Sequence, residues 1–98
     1  MTERTRTKGA FVLKERLDIA GAEALRDAIL TADGDLTVDA GAVALLTTPG
    51  LQVLMAGRDH MAAQGHALQV APVSQGFRAC LRTLGIPLDR IQTSGARP

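Results

Sequence analysis

The sequence predicts an α/β fold: one small domain of about four strands, mostly parallel, with amphipathic helices packed on the sheet. Three observations carry this. Short apolar runs of β-favouring residues alternate along the chain with segments of helical periodicity. Helix stop signals at Gly34, Gly65 and Gly85 separate them. The 98 residues leave room for one hydrophobic core and little more. Strands that alternate with helices imply parallel pairing through right-handed crossovers.

Taken in order, Ala10 to Leu13 reads as the first strand, and Lys14 to Leu17 either extends it or forms a hairpin partner. Asp18 is placed to cap a helix in which Ala22, Leu25, Ala28 or Ile29, and Ala32 share one face, with Glu23, Arg26 and Asp27 opposite. Asp33-Gly34-Asp35 stops that helix. Leu36-Thr37-Val38-Asp39 then alternates apolar with polar, the period of a half-buried strand.

Ala40 to Thr47 reads as a connecting segment. Thr48-Pro49 opens the next helix, with Thr48 as a hydroxyl N-cap and Pro49 at the first helical position. Leu51, Leu54, Met55, Met61 and Ala62 form its buried stripe, and Gln52, Arg58 and Asp59 lie outside it. Gly57 costs about 1 kcal/mol against alanine in a helix interior, and Gly65 suits a left-handed C-terminal position. Ala67 to Ala71 reads as a strand ended by Pro72. Ser74 caps a last helix with Phe77, Cys80, Leu81 and Leu84 on its apolar face, and Gly85 and Pro87 stop it. The domain is expected over 8–92, with flexible ends at 1–7 and 93–98.

Composition narrows the function. Hydrophobic residues make up 46% and charged residues 21%, the balance of a globular chain rather than a disordered one. Phe11 and Phe77 are the only aromatic residues, which leaves no stacking platform for single-stranded nucleic acid. The net charge of +1 arises from interspersed charges, so no strong field draws the chain to nucleic acid or an anionic membrane. Cys80 is the single cysteine, which excludes an internal disulfide. No run approaches the length of a membrane span and the N-terminal stretch is polar, so a cytoplasmic protein with protein partners is expected.

No catalytic constellation is present in the sequence. Gly34, Gly41 and Gly50 are too dispersed for a nucleotide-binding fingerprint, and neither Ser74 nor Ser94 sits in a nucleophile elbow. His60 and His66 lack the cysteine or carboxylate spacing that would complete a zinc site, and Cys80 on an apolar helix face reads as a buried inert thiol. The sequence calls for no enzyme activity, no metal and no cofactor.

Leu36-Thr37-Val38-Asp39, followed by Val43-Ala44-Leu45-Leu46-Thr47-Thr48-Pro49-Gly50-Leu51-Gln52-Val53-Leu54, resembles the signature region of STAS domains, the modules of bacterial anti-sigma-factor antagonists. In that family a strand ends in aspartate, and a loop leads to a hydroxyl residue, a small residue, glycine and leucine that open a helix. Asp39 matches the strand-end aspartate, Thr48 the hydroxyl, and Gly50-Leu51 the glycine and leucine. The order of elements agrees from about Phe11 to Leu88. Thr47 stands where an acidic residue usually precedes the hydroxyl, and Pro49 where a second hydroxyl is often found.

The resemblance implies that Thr48 occupies the position of the family's phosphoacceptor, and that its modification controls a kinase or anti-sigma-type partner. It implies a partner surface drawn from Asp39, Thr47, Thr48, Pro49, Gly50, Gln52 and Met55. Similar STAS subunits of bacterial lipid-transport ATPases and of chemotaxis clusters act instead as constitutive assembly partners, a second implied role. From the residues alone, Thr48 equally reads as a simple helix cap, Asp39 as a turn former that ties down the following loop, and Leu51, Leu54 and Met55 as core, with Gln52, Met55 and Arg58 facing a partner only if the helix turns that edge outward. A phosphate at a helix N-terminus would meet free N–H groups and the positive end of the helix dipole.

Overall fold

The computed structural model describes residues 10–93. Its elements run β1 (Ala10–Val12), β2 (Arg16–Leu17), α1 (Ile19–Thr31), β3 (Leu36–Ala40), β4 (Leu45–Leu46), α2 (Thr48–Ala63), β5 (Leu68–Val73), α3 (Gln75–Leu84) and a 3-10 turn over Leu88–Arg90. The expected fraying of 1–7 and of 94–98 lies outside the described residues.

The alternation of β3 decides the layering. Leu36, Val38 and Ala40 are buried, whereas Thr37 and Asp39 are half-buried on the other face. β3 is the central strand of a three-stranded parallel sheet, β1-β3-β5, in which Phe11 and Val70 both pair with Val38 and so share its face. The core joins that face to Leu25 and Ile29 of α1, Leu51, Leu54 and Met61 of α2, and Phe77 and Leu81 of α3. Asp18 caps α1 by accepting the Gly21 N–H at 3.0 Å, and Ser74 caps α3 by accepting from Phe77 at 3.0 Å. Gly65 and Gly85 adopt the positive φ anticipated for them, 77° and 72°.

The α/β class stands, and the strands divide differently from the expected sheet of about four. Arg16-Leu17 forms no hairpin with β1. It pairs in parallel with Leu45-Leu46, inside the segment read as a connection, to make a separate two-stranded ribbon. Two-residue strands carry too little pattern to register in the sequence. β5 also runs through Pro72 to Val73, because a register shift between Val38 and Ala40 lets Val73 rejoin β3 past the proline.

Several side chains fall elsewhere than the helical stripes suggested. Ala62 is exposed, Met55 and Cys80 are half-buried, and Leu84 is 46% exposed. Arg58 is not free in solvent: its Nε donates to the carbonyls of Asp89 and Gln92, at 3.2 and 3.4 Å. Those bonds hold the segment after α3 against the open edge of β5, where Gln92 accepts the Val70 N–H and Thr93 both accepts from Leu68 and donates to it. Thr93, expected in a loose tail, is therefore tied down and shields a sheet edge.

Candidate functional site

The two-stranded ribbon builds the site. Pairing of Leu17 with Leu46 buries both side chains and leaves Leu45 pointing outward, 42% exposed. It also sets the carbonyl of Leu17 beside the start of α2, where it accepts the Thr47 hydroxyl and, at 3.3 Å, the Thr47 N–H. Thr47, not Thr48, is the N-cap residue, Thr48 is the first helical residue and Pro49 follows it. The sequence places the cap one residue late because two consecutive hydroxyl residues precede Pro49, and a proline preferred at the first helical position selects Thr48, whereas Pro49 here is the second helical residue.

With its hydroxyl committed to Leu17, Thr47 makes no capping bond to its own helix, and the first turn holds no acidic residue. Thr48 is exposed. Pro49 has no N–H, so the orphan donors at this helix end reduce to those of Thr48 and Gly50, and no side chain among the described residues accepts from either. The α2 terminus thus presents a hydroxyl together with uncompensated positive dipole.

Gly50 and Leu51 have structural reasons for their identity. A Cβ at position 50 would stand 2.5 Å from Leu17 Cγ and 3.1 Å from the Leu17 carbonyl oxygen, so only glycine lets α2 lie against the ribbon. Leu51 is buried in the core. Asp39 Oδ1 accepts the Gly41 N–H at 2.9 Å, an Asx turn that fixes the direction of the chain leaving β3. The loop beyond it is held by Glu15, whose carbonyl accepts from Ala44 and Leu45, and by Ser74, whose hydroxyl donates to the Val43 carbonyl.

The residues assigned to a partner surface from the sequence are spread over distinct surroundings. Thr47 and Thr48 open onto a shallow groove of about 480 Å³, bounded by Leu45 and Leu46 on one side and by Ala79, Cys80, Thr83 and Leu84 of α3 on the other. Pro49 and Gln52 line a different groove, between α1 and α2. Met55 packs against the core near the C-terminal turn, where Arg90 Nη2 approaches its sulfur at 3.9 Å. Asp39 lines neither groove.

Leu84, which the sequence places on the apolar face of the last helix, and Leu45, in the segment read as a connection, are the exposed apolar walls beside Thr48. Leu84 continues the spacing of Phe77 and Leu81 and so reads as core. It falls at the last residue of α3, beyond the reach of the sheet. The register that turns Leu45 outward is set only by its pairing with Arg16.

No helix among the described residues is long and apolar enough to cross a membrane, and those residues contain no group of three or more metal-ligating side chains. No curated protein and no solved structure matches the chain. The family described as "Mlab, STAS domain" matches over residues 1–91. That match spans the strand-end aspartate, the Thr48 helix start and the three-stranded sheet. The chain belongs to the STAS domain family, whose members serve in general as non-enzymatic modules of regulation and protein–protein interaction.

Proposed function

We propose that this chain is a phosphorylation-controlled binding module in which Thr48 accepts a phosphoryl group, and that the groove walled by Leu45 and Leu84 docks a kinase or anti-sigma-type protein. The observation that carries this reading is the exposed Thr48 hydroxyl at a helix start whose N–H groups of Thr48 and Gly50 have no side-chain acceptor among the described residues. In the transfer, Thr48 Oγ1 attacks the γ-phosphorus of ATP held by the kinase, ADP leaves, and the hydroxyl proton passes to the kinase's base. The product places about 1.5 to 2 negative charges at the positive end of α2, where the fold tolerates them. The same charges border an apolar groove, and an apolar or acidic partner surface loses contact through desolvation and repulsion.

A constitutive assembly role, as a subunit of a transport ATPase or a chemotaxis cluster, is the second reading. It is favoured by the two exposed leucines, which suit lasting apolar contact and need no switch. Labelling separates the two. Incubation with source-cell lysate and γ-labelled ATP is expected to label the wild type and to leave Thr48→Ala unlabelled. Absence of label from both would favour the assembly reading.

A further inference from the structure

The outer face of α1 has a symmetry that the Thr48 site does not use. Ile19, Glu23, Arg26 and Leu30 follow one another at intervals of four, three and four residues, and all four line the groove between α1 and α2. At about 100° per residue they form a stripe only about 60° wide. Ile19 is 65% exposed and Leu30 49%, two of the largest exposures of large hydrophobic side chains among the described residues. The order is apolar, acidic, basic, apolar. A two-fold axis between Ala24 and Leu25 therefore sets Ile19 against Leu30 of a second copy and Glu23 against Arg26 of that copy, each contact occurring twice.

We infer that this chain forms a symmetric dimer by antiparallel packing of α1 on α1, each stripe entering the α1–α2 groove of the other copy. The groove measures about 400 Å³, and Ala22, Ile29 and Gly57 line it with the stripe. Charge complementarity selects the occupant and its orientation. Antiparallel packing neutralises both charged pairs, whereas parallel packing would place Glu23 on Glu23 and Arg26 on Arg26. Neither residue forms an ion pair with another described residue. A helix of 13 residues is about 20 Å long, so the contact is confined to one helix of each copy and its groove. A dimer resting on one helix pair is expected to be weak and concentration-dependent, so it is sought at about micromolar to millimolar protein. It covers Pro49 and Gln52 and leaves the Thr48 groove open, so it does not depend on the function proposed for Thr48.

Sedimentation equilibrium across that concentration range, at low salt, tests the inference with four proteins: wild type, Glu23→Arg, Arg26→Glu and the double swap. All changed positions are exposed, and circular dichroism confirms that each variant is folded. Each single reversal creates two like-charge contacts and is expected to weaken the dimer about tenfold or more, while the double swap restores complementarity and affinity to within about threefold of wild type. Leu30→Asp is expected to abolish it. A wild type that stays monomeric throughout, single reversals that leave association unchanged, or a double swap that fails to restore it would each overturn the antiparallel dimer.

Discussion

The hydroxyl of Thr47 donates to the carbonyl of Leu17, thirty residues earlier in the chain, rather than to the helix it precedes. Together with the Thr47 N–H, which donates to the same oxygen, it ties β2 to the start of α2, and the helix end is left without a side-chain cap. The exposed Thr48 inherits that end. The structure so separates two roles that adjacent, chemically alike residues share: Thr47 holds the site in place, and Thr48 faces outward.

The separation predicts unequal stabilities. Thr47→Val removes a part-buried hydrogen bond and leaves one acceptor of Leu17 with a single donor, so it should cost about 1 kcal/mol. Thr48→Ala removes an exposed hydroxyl that bonds to nothing described and should change stability by less than about 0.5 kcal/mol. Urea denaturation of both variants checks this. A loss for Thr48→Ala as large as that for Thr47→Val would show that the Thr48 hydroxyl is engaged in holding the fold.

Two glycines of α2 should respond differently to alanine. At Gly50 the new Cβ meets the branch carbon of fully buried Leu17, which could move only by repacking the core, and the Leu17 carbonyl, which no rotamer change shifts; a loss of about 1–3 kcal/mol is expected. At Gly57 it meets the terminal Cδ1 of buried Ile29. Gly57→Ala should therefore be rescued in part by Ile29→Val, which deletes that methyl, so that the double variant is more stable than the sum of the singles. Strict additivity in the cycle would show that α1 and α2 do not press together at this point.

The groove beside Thr48 makes a prediction about surface leucines. Leu45→Asp and Leu84→Asp alter side chains 42% and 46% exposed, so the thermal midpoint should move by no more than a few degrees. Partner binding, measured by calorimetry against the captured protein, should fall at least tenfold for each if the leucines are anchors. Affinity unchanged by both substitutions would place the docking surface elsewhere.

The legible parts of this sequence were those with redundant signals. α1 has an aspartate cap, a periodic stripe and a glycine-containing stop, and α3 has a serine cap and Gly85. β3 alternates over its full length. What escaped depends on contacts distant in sequence. The β2–β4 ribbon consists of two residues on each strand, and its existence rests on Leu17 meeting Leu46. Gly57 read as a helix weakness because Ile29 could not be seen opposite it. The outward leucines share this cause: Leu45 and Leu84 have core-like identities, and only the register of a ribbon and the end of a helix turn them to the surface. The motif from Asp39 to Leu51 located the Thr48 helix start correctly to within one residue, while the division of labour between Thr47 and Thr48 needed the Leu17 carbonyl.

The central claim is that charge at Thr48 governs docking, and the direct measurement is a paired capture from source-cell lysate with wild type, Thr48→Ala and Thr48→Asp, followed by mass spectrometry of the bound proteins and of residue 48. The account predicts a kinase-type protein held by wild type and Thr48→Ala, lost by Thr48→Asp, with phosphothreonine detected at position 48 of the wild type. The same partner held equally by all three, with no phosphate at Thr48, would contradict it and leave a constitutive assembly module.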